Sequence, residues 1–168
     1  MNMKETADRE TLEEILDLLD GMGMRYWIDG GWGVDILLGR QSREHRDIDV
    51  DFDGEYTDVL LKALEDKGYV ITTDWRPCRI ELSHPLLGYI DIHPFVIAED
   101  GSARQADPEG GWYDLQAEWF SFAVFEGRKI PCISAEAQKL FHTGYEPREV
   151  DKVDMQNLDA FLKGQDKL

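Results

Sequence analysis

The apolar positions along the chain follow two rhythms. Leu12, Ile15, Leu16 and Leu19 recur at helical spacing and predict a helix over residues 8–22. Tyr26, Trp27 and Ile28 read as a short strand entering Gly30-Gly31, and residues 32–38 as a short helix stopped by Gly39. Residues 46–52 alternate strictly, with Ile48, Val50 and Phe52 on one face. Residues 57–67 predict a helix with Val59, Leu60, Ala63 and Leu64 inward and Gly68 at its end. Residues 69–73, 79–83 and 89–95 read as three more strands, and residues 99–111 as a polar loop. Residues 120–125 and 129–133 are expected to pair as a hairpin about Glu126-Gly127. Ser134 is placed to cap a helix running to residue 142. A last helix covers residues 150–162, with Val153, Leu158, Phe161 and Leu162 apolar. These elements predict an α/β (α+β) fold, a mixed β-sheet flanked by helices. Residues 1–133 form its core, and residues 134–168 are a helical C-terminal segment of the same domain.

Composition narrows the picture. A chain of 168 residues is expected to form one domain, and its 42% apolar content is enough for a core. Five Trp, six Tyr and seven Phe argue against disorder. No apolar stretch approaches the length of a membrane span, and the start MNMKETADRE lacks the basic and apolar regions of a signal peptide. The expected compartment is the cytoplasm. Cys78 and Cys132 lie far apart and match no metal motif, so both are expected as free thiols in or near the core. The net charge of −17 argues against nucleic acid and anionic membranes as partners and suits a cationic small molecule or divalent metals. Acidity also serves solubility, so charge alone does not choose a function.

The informative stretch is Arg46-Asp47-Ile48-Asp49-Val50-Asp51-Phe52-Asp53. On a strand Asp47, Asp49, Asp51 and Asp53 point one way and the apolar residues the other. Carboxylates two positions apart sit about 7 Å apart and repel by about 2 kcal/mol at an effective dielectric near 20. Cations on the row would remove that cost, and oxygen-rich sites suit hard cations such as Mg²⁺. A solvated strand face is the competing reading, although acids are poor strand formers. Asp91, in Tyr89-Ile90-Asp91-Ile92-His93, joins the row if its strand is a neighbour. Carboxylates from two adjacent strands can hold two metal ions about 4 Å apart for in-line phosphoryl displacement. Gly30 and Gly31, between a strand and a helix, let backbone approach a phosphate closely. They lack the lysine of a P-loop and the spacing of a dinucleotide fingerprint.

A glycine pair, a short helix, Asp-x-Asp on a strand and a third acid on a later strand together resemble the DNA polymerase β-like nucleotidyltransferase superfamily. The run from Gly30 to Arg40 also resembles the matching element of tRNA CCA-adding enzymes. The segment YWIDGGWGVDILLGRQSREHRDIDVDFD is similar to the aminoglycoside 2″-nucleotidyltransferases and the lincosamide nucleotidyltransferases. GYIDIHP, ADPEGGWY and RKIPCISAEAQKLFHTGY resemble the short lincosamide type. The resemblance implies a nucleotidyltransferase fold and transfer of a nucleoside monophosphate from ATP or another NTP to a hydroxyl of a lincosamide, with pyrophosphate released and Mg²⁺, two ions, as cofactor. It implies that Asp47 and Asp49 bind metal and that Asp91 binds metal, acts as general base, or both.

By the same resemblance Gly30 and Gly31 contact the triphosphate. Arg43 and Arg46 stand where a guanidinium can pair with phosphate oxygens or with one of the many acids. Lys152 matches a phosphate-contacting cation loosely and fits a solvated helix face better. His93, one strand step beyond Asp91, is a candidate for contacting substrate or orienting an acid. His45 flanks the acidic strand in the same way, and His142 fits a structural place. Trp112, Tyr113 and Trp119 are candidate walls of an acceptor pocket, though aromatics are first of all core residues. Asp35 suits a local cap or pair. Two other readings stay open, an aminoglycoside acceptor and a non-catalytic binding module of the same fold. A metal held for structure alone is a third. A homodimer that completes the acceptor pocket is compatible with the short chain.

Overall fold

The computed structural model describes residues 6–141 and 148–166. His142 lies outside them. Helix α1 (Arg9–Met22) starts where the Asp8 carboxylate accepts the Thr11 N–H at 3.0 Å and stops at Gly23 in the left-handed region. Its Leu12, Ile15, Leu16 and Leu19 are all buried, as their spacing predicts. Strand β1 (Tyr26–Asp29) runs directly into α2 (Gly30–Leu38), which begins two residues earlier than its sequence suggests. The reason is the Asp29 side chain, which accepts the Gly30 N–H at 2.7 Å and caps the helix there.

Strand β2 (Asp47–Asp53) follows, then α3 (Thr57–Asp66), β3 (Val70–Trp75), β4 (Arg79–His84) and β5 (Gly88–Ile97). In α3 the buried residues are Leu60, Leu61 and Leu64. Val59, expected inward, is exposed because it lies a full 100° around the helix from Leu60. The expected polar loop carries β6 (Ala103–Ala106), which pairs with β7 (Trp112–Leu115) as a ribbon extending from β5. Alternation misses this ribbon because β6 buries only alanines, so its ladder hydrogen bonds, not a hydrophobic face, define it. Strands β8 (Phe120–Phe125) and β9 (Arg128–Ile133) form the expected hairpin. Ser134 Oγ accepts the Ala137 N–H at the start of α4 (Ala135–Phe141), and α5 (Glu149–Asp166) ends the described chain.

The main path of the mixed sheet runs β3-β4-β5-β2-β1-β9-β8. Pairing is parallel between β2 and β5 and between β1 and β9, and antiparallel elsewhere. Ile28, Ile48, Val50, Phe52, Ile80 and Ile92 pack on one face against α1 and α3. Trp32 is fully buried and donates its indole N–H to the Ala7 carbonyl at 3.0 Å, which ties α2 to the start of the chain. A second cluster of Val34, Ala135 and Leu158 joins α2 to α4 and α5. Leu158 is the buried anchor of α5, whereas Val153 is exposed. Cys78 and Cys132 are both free and buried. Among the described residues no helix is long and apolar enough to cross a membrane. The apolar face of β2 thus fixes its register, and the opposite face carries its aspartates.

Candidate active site

Register brings the acids together. Asp49 on β2 stands level with Asp29 on β1 and with Asp91 on β5, and Asp91 stands level with Glu81 on β4. Four adjacent strands therefore carry a transverse row of four carboxyl groups. One step along, Asp51 is level with His93. The ligand atoms of Asp49, Asp91 and His93 lie within 4.8 Å of one another. His93 Nε2 is 3.4 Å from Asp49 Oδ1 and 3.9 Å from Asp91 Oδ1. Arg79 grips Asp91 from the other side, with Nη2 3.0 Å from Oδ2 and Nε 3.2 Å from Oδ1.

The charges answer to this crowding. Burial, then the charges of Asp49 and Asp91, push the Asp47 carboxyl up to about 7. Burial, with Asp29, Asp49 and Asp91 around it, raises Asp51 well above the carboxylate range. Asp91 is raised by burial and by Asp49, against the pull of His93 and Arg79. Burial opposes the charged form of His93, but its hydrogen bond to the Asp49 carboxylate and the charge of Asp91 outweigh it and raise its pKa. His93 lies against both Asp49 and Asp91, and Arg79 holds the far side of Asp91. The carboxylate oxygens suit Mg²⁺, while the imidazole nitrogen is a softer donor better kept for orienting an acid.

Asp47, Asp49, Asp91, Gly30, Gly31, Arg43, Arg46 and His93, all anticipated in the sequence, line one cleft of about 780 Å³. Asp47 is not in the tight group with Asp91 and stands one step up the wall. Arg46 stacks on the Tyr89 ring at 3.7 Å and reaches Glu81 at 3.4 Å and Asp47 at 3.8 Å. Arg43 is committed to Asp154 of α5, with Nε to Oδ1 3.0 Å and Nη2 to Oδ2 2.9 Å, so of its two readings the structure shows the ion pair. Lys152 is exposed and pairs with Glu149. His45 and Asp35 form a buried dyad beside Trp32, with His45 Nε2 2.6 Å from Asp35 Oδ2 and Ser42 donating to the same carboxylate.

Tyr113 and Trp119 line an adjoining cavity of about 520 Å³ whose polar lining includes Asp29, Asp51 and His93. Trp112, one residue earlier on β7, lines a different cavity with Arg25 and Arg76 and lies under Arg104. Alternation on the ribbon puts the neighbouring aromatics on opposite faces, so only Tyr113 adjoins the acids.

Asp29, Arg79 and Glu81 went unread in the sequence. Arg79-Ile80-Glu81-Leu82 alternates as β2 does, which was the available signal for two of them. The position of Asp29 depends on the β1–β2 register, which nothing local reveals.

The glycines fit tightly. Gly30 has φ +63°, and a Cβ there would overlap the Asp49 carboxylate. A Cβ on Gly31 would lie 2.5 Å from Arg43 Nη2 and 2.6 Å from His45 Nδ1. Gly30→Ala is therefore expected to displace Asp49 and weaken Mn²⁺ binding, used as a probe, by about 10- to 100-fold with the far-UV spectrum preserved. Calorimetric titration checks it, and unchanged affinity would refute the close fit.

Asp47 also sets a pH dependence. The folded protein keeps on Asp47 a proton that the unfolded chain releases near 3.8. Its stabilising contribution is complete below that value and is lost as pH rises to about 7. Asp51 and Asp91 shift in the same direction. The melting temperature of metal-free protein should fall across this window, Asp47→Asn should flatten the fall, and Mg²⁺ should stabilise more at its upper end. A midpoint that climbs with pH regardless of Asp47 would contradict the assignment.

The chain is similar to known proteins over most of its length. Residues 11–158 match the family model described as aminoglycoside-2''-adenylyltransferase. The chain is 56% identical over 146 residues to a lincosamide resistance protein of Staphylococcus haemolyticus, covering 87% of this chain and 91% of that one. It is 31% identical over 138 residues to a 2''-aminoglycoside nucleotidyltransferase of Klebsiella pneumoniae, covering 79% of this chain and 71% of that one. Among solved structures, lincomycin-bound lincosamide antibiotic adenylyltransferase LnuA superimposes with a TM-score of 0.88 at 52% identity, over 93% of this chain and 99% of that one. ANT(2")-Ia in complex with adenylyl-2"-tobramycin shares the fold, with a TM-score of 0.68 at 24% identity over 93% and 88% of the two chains. With a level row of carboxylates beneath a glycine turn and these relatives across most of its length, the chain belongs to the aminoglycoside-2''-adenylyltransferase family of antibiotic nucleotidyltransferases.

Proposed function

We propose that the protein transfers AMP from ATP to a hydroxyl of a lincosamide such as lincomycin or clindamycin, releases pyrophosphate, and so inactivates the antibiotic. The carrying observation is the Asp49–Asp91–His93 group in the larger cleft, with His93 and Asp29 shared with the smaller cavity. The larger cleft has the glycine turn and arginines suited to a triphosphate, and the smaller has an aromatic wall suited to an acceptor. The two relatives above 50% identity are named for lincosamides, which favours that acceptor. The family description and the relatives near 30% identity support a second reading with an aminoglycoside acceptor. A binding module without catalysis would have no use for mutually repelling acids between two cavities.

Asp49 and Asp91, with Asp47 beside them, are the residues that would hold Mg²⁺. When bound, the metal supplies charge neutralisation at the phosphates during in-line displacement. The Gly30–Gly31 backbone sits under the triphosphate, and the half-exposed Arg46 faces its oxygens. The acceptor hydroxyl lies against Asp91, whose Oδ1, on the His93 side, takes its proton as the oxygen attacks the α-phosphorus. The bond to the β-phosphate bridging oxygen breaks, and pyrophosphate leaves on the opposite side. His93 holds the Asp49 and Asp91 carboxylates in place through contacts of 3.4 and 3.9 Å. Arg79 must loosen its hold on Asp91 as the acceptor arrives, because a carboxylate fully engaged by a guanidinium is a poor base.

Incubation with ATP, Mg²⁺ and a panel of lincosamides and aminoglycosides should give lincosamide products heavier by one AMP. Products from aminoglycosides alone would replace the first reading with the second. Asp91→Asn should cut turnover by about 10² to 10⁴. If Asp91 is chiefly the base, nucleotide affinity should hold. If it is chiefly a metal ligand, affinity and turnover should fall together and recover in part at high Mg²⁺. Unimpaired turnover would exclude both roles.

A further inference from the structure

The aromatic cavity has an acidic floor that the phosphate chemistry does not use. Asp47, Asp49 and Asp91 line the larger cleft and not the smaller cavity, while Asp51 lines the smaller cavity and not the cleft. Asp29 and His93 line both. Position along β2 thus sorts its carboxylates between the two cavities, about 7 Å per step.

Among the described residues no cation pairs with Asp51. It is 1% exposed, and its Oδ2 has no hydrogen-bond partner among the described residues. Asp91 has Arg79 at 3.0 Å and Asp49 has His93 at 3.4 Å. The groups acting on Asp51 are acids, Asp29 foremost, whose carboxyl meets its own, then Asp49 and Asp91. A buried carboxyl group with one oxygen unsatisfied and another acid against it is costly, and an apolar residue would fill the place more cheaply. Tyr113, Trp119 and Phe141 wall the space above with rings, which also favour a cation.

We propose that Asp51, with Asp29 beside it, binds the protonated amine of the acceptor and selects cationic acceptors. This rests on the reading of the protein as an acceptor-modifying nucleotidyltransferase and adds the group that recognises the acceptor. The ammonium enters the aromatic cavity, and the carboxyl group of Asp51 becomes its counter-ion. The acceptor is then anchored one strand step from Asp49 and Asp91, and its hydroxyl is presented to Asp91. A cation on Asp51 is on the acceptor side, one step past the carboxylates that face the triphosphate.

The test compares a lincosamide with an N-acyl analogue that keeps the hydroxyls but has no basic amine. Wild-type protein should prefer the cationic acceptor by about 30-fold or more in kcat/KM. Asp51→Asn should lose most of that preference through the acceptor KM, with the KM for ATP and the Mg²⁺ requirement little changed. A folded Asp51→Asn protein that keeps the full preference overturns the proposal. So does a rise in ATP KM and Mg²⁺ requirement alongside the acceptor KM, which would make Asp51 part of the metal site. Calorimetric binding of the two acceptors to wild-type protein needs no variant, and equal affinities would also overturn it. If wild-type protein modifies no lincosamide, the functional reading fails and this proposal falls with it. Turnover with unchanged discrimination sinks the Asp51 assignment alone.

Discussion

Repulsion among carboxylates held level on adjacent strands is the constraint to which the rest of the molecule responds. Asp29, Asp49, Asp91 and Glu81 occupy one row across β1, β2, β5 and β4. No acid in that row can move away, because the apolar residues between them, Ile48, Val50, Ile90 and Ile92, are fully buried on the other face. A one-residue slip would bury the aspartates and expose the core, so the register is enforced by hydrophobic burial. The energy of the core is thereby used to hold like charges together. His93 and Arg79 offset part of the repulsion, and burial together with the charges of Asp49 and Asp91 raises the Asp47 carboxyl beside the row.

Much of this was legible in the sequence, and the reason is alternation. The strict period of residues 46–53 placed the aspartates on one face, and the same period around Asp91 placed it and His93 on one face of their own strand. Local patterns also gave α1, the β8–β9 hairpin and the glycine turn. What they could not give was pairing. Asp29 enters the row because β1 runs antiparallel to β2 in one register, and Glu81 and Arg79 enter because β4 pairs with β5. The same gap explains Trp112 and Tyr113, adjacent aromatics that a short ribbon turns to opposite sides. Arg43 shows a further limit, since its partner Asp154 is 111 residues away in sequence and the number of acids available left the choice open.

That long-range pair links the fold to the cleft. Arg43 is about one-fifth exposed and Asp154 nearly buried, and their two-pronged contact fastens α5 to the segment entering β2. A desolvated pair of this kind adds little net stability, since the cost of leaving water offsets much of the attraction. Its effect is on position. The guanidinium lies directly over Gly31, where a methyl group would not fit, so the turn, the arginine and the last helix form one packed unit. The buried Asp35–His45 dyad supports the same turn from below, with His45 Nδ1 against Gly31.

The two sides of the site are therefore built by different means. On the phosphate side, packing surrounds the glycine turn closely, from Asp49 at Gly30 to Arg43 and His45 at Gly31, and little can change there without a collision. The acceptor side is walled by the β6–β7 ribbon and by Phe141 of α4, and Tyr113 is more than half exposed at its edge. A ribbon that buries mainly alanines tolerates substitution far better than the centre of the sheet does. Relatives named for two classes of antibiotic are what such a division permits. On the proposed reading the carboxylates that face the nucleotide are held by the core, while the acceptor is met by side chains on a border ribbon. Asp51, proposed to face the acceptor, is the exception, since it is set in the central strand. Its position is as fixed as that of Asp49, so the walls of the cavity can vary while the carboxyl group at its floor stays in place.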